Sequence, residues 1–146
     1  MSLAKFAANQ VLNTGQTLDE AFPAVDPGIT PFGSRVIVQI RRPMSVTKGG
    51  IRLITDTKDT EKWNTQVGKV CAIGALAFRS RSTKEQWPEG SWCELGEFVR
   101  VPKYGGDRWE IPFGPGEDDI ALFAMFNDLD LLGKVTVDPR TIRAFL

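Results

Sequence analysis

The sequence predicts a single all-β domain preceded by an N-terminal extension. Three observations support this prediction. Short apolar segments with the two-residue alternation of β-strands recur from residue 35 onwards. Gly, Pro, Asn and Asp separate these segments, and no segment has the period of a long helix. The length of 146 residues is typical of one domain that buries its own core.

The first thirty residues lack the strand period. Met1–Asn13 has the spacing of a short amphipathic helix, and Thr17 followed by Glu20 fits a capping box for a second short helical turn. The residues that follow favour extended or turn backbone: Pro23, Pro27, Gly28 and Pro31. The extension is therefore either a poorly ordered leader or an arm that docks on a neighbouring molecule, and the sequence favours neither. The domain itself is expected to fold without residues 1–28.

Five or six short strands are predicted after this extension. Ile120–Phe126 is apolar on both faces and is therefore predicted to lie inside the sheet. Tyr104–Asp107 has the composition of a tight hairpin turn whose return strand is Arg108–Ile111. The other predicted strands are Arg35–Arg41, Val67–Ile73, Glu97–Val101 and Leu131–Val137.

Two connections between the predicted strands are unusually long. They cover residues 43–66 and 75–90. Connections of this length in a small domain are usually functional or disordered. The second one contains Arg79, Arg81, Lys84 and Trp87, but three cations on a neutral chain make a poor nucleic-acid footprint.

Composition excludes several classes of function. Acidic and basic side chains balance at 18 each, so no net field favours nucleic acid or an anionic membrane. The chain has no histidine, which removes His-dependent catalytic triads and most transition-metal sites. We therefore expect no enzyme activity, no catalytic residue, no metal and no cofactor. The N-terminus has no signal-peptide core and the longest apolar run is too short to span a bilayer, so a cytoplasmic location is expected.

Acidic clusters and cysteines add little functional signal. Glu117–Asp119 and Asn127–Asp130 suggest calcium binding, but both lack the glycine and distant glutamate of a calcium loop. They are interpreted as solvated turns. Cys71 and Cys93 are interpreted as buried free thiols, although a disulfide between them stays open.

Five segments, taken in order, resemble one known family. They are P-F-G-S-R-V-I-V from Pro31, V-T-K-G-G-I-R-L from Val46, G-K-V-C-A-I-G from Gly68, V-R-V-P-K-Y-G-G from Val99 and D-L-L-G-K-V from Asp130. Their order and spacing resemble GroES-type co-chaperonins over residues 29–137. The resemblance implies that residues 29–146 form a GroES-like small β-barrel. This barrel is expected to include a long loop of the mobile-loop type. Residues 1–28 then form the extension.

The resemblance also implies a partner and a binding loop. In this family a mobile loop binds an apolar groove on a GroEL-type chaperonin ring, and the matching residues here are Gly49, Gly50, Ile51, Arg52 and Leu53. Ile51 and Leu53 are two residues apart, so they face the same way in an extended segment while Arg52 faces solvent. Burying each aliphatic side chain contributes roughly 1.5–3 kcal/mol. Ordering the loop costs on the order of 1 kcal/mol per residue, so one loop binds weakly.

A ring of several copies overcomes this weakness, because later contacts are effectively intramolecular. The resemblance implies a heptamer in which the first and last strands of neighbouring subunits pair. The corresponding segments are residues 30–36 and 132–137, and the expected interface residues are Phe32, Arg35, Leu132, Val135 and Val137.

Departures from the family pattern leave a second function open. The chain has a 28-residue extension, Ser34 where the family usually has Asp, Arg52 where it has an apolar residue, and a tail ending in Phe145-Leu146. A viral capsid decoration or cement protein could use the same barrel and attach its extensions to the major capsid protein. The extensions would suit a phage-encoded protein. Such a protein is expected in the host cytoplasm if it closes a chaperonin ring as a lid, and in the virion if it is a decoration protein.

Overall fold

The computed structural model describes residues 17–42 and 66–142 of the 146-residue chain. Within these residues the fold is all-β, as predicted, with one short helix, α1 (Leu18–Ala21), and six strands. The strands are β1 (Arg35–Ile40), β2 (Val67–Ile73), β3 (Phe98–Arg100), β4 (Asp107–Pro112), β5 (Ile120–Asn127) and β6 (Gly133–Lys134). Two 3-10 turns, Asp128–Asp130 and Pro139–Thr141, flank the last strand. No helix in the described ranges is long and apolar enough to cross a membrane.

All six strands form one antiparallel sheet in the order β4-β5-β1-β2-β3-β6. β1 lies between β5 and β2, where Val36 is the partner of Phe126 on one side and of Ile73 on the other. β5 lies between β4 and β1, which confirms its predicted interior position. β4 and β6 form the two edges of the sheet among the residues described.

The predicted hairpin between residues 97 and 111 is wrong, because β4 pairs with β5 and not with β3. The turn itself exists, but it directs the chain to the opposite edge of the sheet. Pro102 has no amide hydrogen with which to continue the ladder beyond β3. Gly105 and Gly106 have φ of 92° and 73°, the left-handed region that favours glycine. A Cβ at Gly106 would lie 2.6 Å from the Phe126 ring, so this position also needs a glycine.

The main core lies on one face of the sheet. It contains the alternate residues of β1 (Val36, Val38, Ile40), which are at most 2% exposed. Side chains from β2, β3 and β5 pack beside them, and the connection between β2 and β3 covers the layer with Ala77, Phe78 and Cys93. The second long connection is therefore part of the core rather than a free loop.

A β-bulge in β2 determines which of its side chains reach this core. Val38 pairs with Val70 and Ile37 pairs with Ala72, so Cys71 is the extra residue. A bulge of this kind reverses the alternation locally. Cys71 and Ala72 consequently pack on the opposite face, beside Ile37, while Ile73 packs against the main core.

The opposite face of the sheet is covered by residues 17–28, the described part of the N-terminal extension. Ile37, Ala121 and Phe123 are buried there, and Val25 packs against them. Gln39 Nε2 donates a hydrogen bond to the Pro23 carbonyl oxygen at 2.8 Å. Residues 17–28 are thus held on the chain's own sheet. The predicted boundary at residue 28 separates a covering segment from the strands it covers.

Contacts at Trp109 hold one end of this covering segment on the sheet, and a local helix cap defines the other end. Trp109 Nε1 donates to the Pro27 carbonyl oxygen at 2.8 Å, and its ring stacks on Phe123 with centroids 5.9 Å apart. At the other end, Thr17 Oγ1 accepts a hydrogen bond from the Glu20 amide at 3.1 Å. That bond confirms the helix start predicted at Thr17.

The last strand is shorter than predicted. β6 contains only Gly133 and Lys134, although backbone bonds from Leu132 to Arg100 (3.0 Å) and from Val135 to Phe98 (2.8 Å) extend the pairing. Beyond it, the Asp138 carboxylate caps the 3-10 turn by accepting from the Arg140 amide at 2.9 Å. This cap holds the chain in a turn directly after Val137, the last residue of the predicted strand.

These contacts change the expected effect of truncation. Deleting residues 1–28 should lower the free energy of unfolding by about 3 kcal/mol or more, because it exposes apolar side chains worth roughly 1.5–3 kcal/mol each. Deleting residues 1–16 is the control, since it retains every contact described above. Urea unfolding of both proteins measures the difference. Equal stability of the two truncated proteins would show that the covering segment adds nothing to the fold.

Candidate functional site

The residues predicted to bind a chaperonin, Gly49–Leu53, lie outside the described residues. The strands that flank them are well defined. β1 leads into this segment through Arg41 and Arg42, and β2 follows it at Val67. The two ends lie side by side: Ile40 pairs with Gly68, and the Arg41 amide donates to the Val67 carbonyl oxygen at 3.4 Å. We call residues 40–42 and 66–68 the loop stem.

Side chains from β3 support the loop stem on one side. The Gln66 side chain donates from Nε2 to the Val101 carbonyl oxygen and accepts from Arg100 Nη2, both at 3.2 Å. The Val101 amide in turn donates to the Gln66 carbonyl oxygen at 2.9 Å. Sequence reasoning missed Gln66 and Arg100, because neither belongs to an apolar period and they are 34 residues apart.

A glycine allows the two strands of the loop stem to approach closely. A Cβ at Gly68 would lie 2.7 Å from the Val38 Cβ, closer than packed carbons approach. Gly68 is the first residue of the G-K-V-C-A-I-G segment. Because Gly68 has no side chain, β2 leaves room at this position for the Val38 side chain, which is fully buried in the main core.

Four of the five residues predicted for a subunit interface are exposed. Phe32 is 79% exposed, Leu132 61% and Val137 50%, and Arg35 is also exposed. Val135 differs, because it is half-buried within its own chain against the cluster that contains Phe22 and Phe98.

The exposed interface candidates lie in two separate places. Phe32 and Arg35 line an open cleft of about 510 Å³ together with Ile29 and Phe126. Leu132 lines another cleft, of about 370 Å³, beside Trp92 at the edge formed by β6. The two clefts share no lining residue.

The available edge at the start of the first strand is shorter than residues 30–36. Arg35 is already paired with Asn127, and Val36 is paired on both sides. The carbonyl oxygens of Gly33 and Ser34 also accept within the chain, from the Leu76 amide at 2.9 Å and the Asp128 amide at 3.0 Å, so the backbone just before Arg35 is partly occupied as well. The edge at β6 is different, because within the described residues its only partner strand is β3.

An unpaired hydrogen-bond donor lies beside this β6 edge. Trp92 Nε1 is buried and has no acceptor among the described residues. Leaving a buried donor without an acceptor costs roughly 1–3 kcal/mol. Trp92 lines the same cleft as Leu132 and Gly133.

Asp128 attaches the connection over the main core to the end of β5. It is fully buried, and its carboxylate accepts from the Phe78 amide at 2.8 Å. Arg81 donates to both carboxylate oxygens, at 2.6 and 3.2 Å. The interpretation of Asn127–Asp130 as a solvated turn is therefore wrong for Asp128. Its partners are 47 and 50 residues away in the sequence, so local patterns do not reveal them.

The same contacts hold Phe78 in an unfavourable backbone conformation. Its φ is +62°, which bulky residues rarely adopt and which costs on the order of 1–3 kcal/mol. The buried ring packs against Trp87 and Trp92, with centroids 5.7 and 6.2 Å away. Aromatic packing and the Asp128 hydrogen bond together offset this strain. Trp87 and Arg81 thus have structural roles, rather than forming a free basic patch.

Charge on Asp128 is favoured despite its burial. Burial alone would raise the pKa of this carboxyl, but the hydrogen bonds from Arg81 and from the Phe78 amide hold its pKa below the ordinary value. The Asp138 pKa is also lowered, chiefly by its hydrogen bonds with Arg140. Both carboxylates therefore stabilise the folded protein in their charged form.

The two cysteines are free thiols. Burial is the main reason that the pKa of Cys93 rises to about 11, and burial also raises the pKa of Cys71. A raised pKa keeps a thiol protonated and poorly nucleophilic. Within residues 17–42 and 66–142, no group of three or more Cys, Asp and Glu side chains could hold a metal ion.

Comparison with known families gives one match. A family model described as Chaperonin 10 Kd subunit matches residues 28–129. The chain belongs to the chaperonin 10 kDa family. No curated protein matched the chain. The family match confirms the resemblance carried by the five sequence segments. It supports a co-chaperonin role in general, with GroEL-type chaperonins as partners and heptamers as the family's assembly.

The lowered pKa of Asp128 predicts acid sensitivity. Its stabilisation should be complete above about pH 5 and should be lost as the pH falls below the ordinary carboxyl pKa of about 4 towards the lower folded value. Asp128→Asn should cost about 2 kcal/mol at pH 7, because it loses the charged hydrogen bonds. It should also reduce the pH dependence below pH 5. Urea unfolding between pH 2 and 7 measures both effects.

The control for this prediction is Asp130→Asn, which changes an exposed carboxylate in the same 3-10 turn. It should leave the stability at pH 7 close to that of the wild type, because the Asp130 side chain is exposed. A variant Asp128→Asn with the wild-type pH profile would contradict the assigned role of the buried carboxylate.

Proposed function

We propose that this member of the chaperonin 10 kDa family forms a ring that closes one end of a GroEL-type chaperonin and assists protein folding. The observation that carries the proposal is the family match over residues 28–129. The loop stem supports it, because neighbouring strands present residues 43–65 at one end of the sheet.

The proposed contact with the chaperonin is made by Ile51 and Leu53. These residues occupy the positions of the family's mobile-loop apolar pair, while Arg52 replaces an apolar residue. In an extended segment Ile51 and Leu53 enter the same groove and Arg52 keeps its charge in water. Gly49 and Gly50 allow the backbone to turn into the groove without steric hindrance from a Cβ.

The proposed ring joins two different surfaces of neighbouring subunits. One contains Phe32 and the residues before Arg35, and the other contains Leu132 and the edge of β6. Both surfaces expose large apolar side chains, and β6 also offers unpaired backbone groups. Pairing them buries these groups and removes a sheet edge that could otherwise aggregate.

The alternative function, a capsid decoration protein, requires terminal extensions that can attach to a capsid partner. Residues 17–28 cover the chain's own sheet, which leaves residues 1–16 and 143–146, both outside the described residues, as possible attachments. Among residues 17–42 and 66–142, no contact favours a capsid partner. We therefore propose the chaperonin lid as the function.

Substitution in the loop tests the proposed chaperonin contact. Ile51→Asp or Leu53→Asp should abolish ATP-dependent association with a GroEL-type ring. Each change removes roughly 1.5–3 kcal/mol of apolar burial per subunit, and the loss is multiplied over the copies in the ring. The control Arg52→Val should bind as well as wild type or better, since it adds apolar area. Association can be measured by co-sedimentation or calorimetry, and wild-type binding by Ile51→Asp would contradict the proposal.

Substitution at the β6 edge tests the proposed ring. Leu132→Glu should convert the oligomer into single subunits, because it places a charge in an apolar interface. Leu129→Glu is the control, with a leucine of similar exposure (63% against 61%) that was not assigned to the interface. Light scattering at micromolar concentration gives the molar masses. A wild-type protein that is monomeric under these conditions would count against the ring.

A further inference from the structure

A small apolar cluster lies directly under the loop stem. We call it the stem cluster, and it contains Leu18, Ala21, Phe22, Val67, Phe98, Val135 and Ile142. Val67 belongs to the loop stem itself and is 2% exposed. Phe22 makes an edge-to-face contact with Phe98, with centroids 5.0 Å apart. The cluster therefore supports the first residue of β2, where the chain returns from residues 43–65.

Most of the stem cluster comes from outside the region that matches the family. Only Val67 and Phe98 lie within residues 28–129, whereas the other five members precede or follow it. α1 and Phe22 come from the N-terminal extension. Val135 and Ile142 come from the chain after β5. The two flanking segments thus meet at the loop stem.

Hydrogen bonds connect the same two segments to the other strand of the loop stem. The Arg42 amide donates to the Ala21 carbonyl oxygen at 2.8 Å. Arg41 Nη1 donates to the Arg140 carbonyl oxygen at 3.4 Å, a longer contact. Arg140 is itself buried, and its guanidinium pairs with Asp138 at 2.6 Å. α1 therefore contacts both strands of the loop stem. The C-terminal 3-10 turn contacts Arg41, which follows β1 directly.

We infer that residues 17–22 and 135–142 form a clamp that positions the chaperonin-binding loop. This inference rests on the proposed function. Binding of a flexible segment is weakened by the entropy lost when its residues become ordered. The clamp orders Arg41, Arg42 and Val67 before the partner arrives, so fewer residues lose entropy on binding. The resulting gain in binding free energy per subunit is multiplied when several subunits bind one ring.

The clamp has a specific experimental signature. Phe22→Leu, and more strongly Phe22→Ala, should increase hydrogen exchange at the Arg41 and Arg42 amides of the free protein. Both variants should bind a GroEL-type ring more weakly in the presence of ATP, by about tenfold for Phe22→Ala. Phe22→Leu keeps an apolar side chain, so it provides a folded variant if Phe22→Ala unfolds.

The matched control separates positioning from general stability. Ile37→Ala removes a fully buried side chain from the cluster on the opposite face of the sheet and should lower stability by a similar amount. At a temperature where all variants are folded, Ile37→Ala should bind the chaperonin as wild type does. Equal loss of binding by Ile37→Ala and Phe22→Ala would overturn the clamp, as would wild-type binding by Phe22→Ala.

Failure of the proposed function can be recognised independently. A synthetic peptide of residues 43–65 should compete weakly for the chaperonin, whatever the state of the clamp. If neither the wild-type protein nor this peptide binds, the lid function is contradicted. Hydrogen exchange then still decides the clamp: faster exchange at Arg41 and Arg42 in Phe22→Leu, but not in Ile37→Ala, supports it, and unchanged exchange overturns it.

Discussion

Burial of β1 on both faces is the constraint on which the rest of the structure depends. Its residues from Val36 to Ile40 are at most 3% exposed, and both of its backbone edges are paired. A strand in this position needs a cover on each side of the sheet. The connection between β2 and β3 covers one side. Residues 17–28 cover the other, so this part of the N-terminal extension belongs to the domain's packing.

Hydrogen bonds and one ion pair attach the two covers to the strands of the sheet. Asp128 ties one cover to the end of β5 through Arg81 and the Phe78 amide. Carbonyl oxygens of Pro23 and Pro27 tie the other cover to Gln39 and Trp109. Buried polar groups of this kind specify one arrangement, because any alternative would leave them without partners. The same packing defines the loop stem, so the core and the proposed partner contact are physically connected.

Local patterns predicted the elements of the fold better than their pairing. Alternation found the strands, a long apolar run located β5 inside the sheet, and Thr17 gave the start of α1. The partner of β4 was missed because hairpin rules compare only neighbouring segments. The burial of Asp128 and the covering role of residues 17–28 depend on contacts distant in sequence, which composition cannot show. The loop residues Ile51 and Leu53 follow from the family resemblance alone, and they lie outside the described residues.

The central claim is that this chain closes a chaperonin ring through its loop. The most direct measurement is an electron cryomicroscopy structure of the full-length protein mixed with a GroEL-type ring and nucleotide. The account predicts a ring of subunits on the end of the chaperonin, with Ile51 and Leu53 of each subunit in an apolar groove. It also predicts that α1 and the Pro139–Thr141 turn keep their contacts with the loop stem. A complex formed through other residues, or no complex at all, would contradict the account.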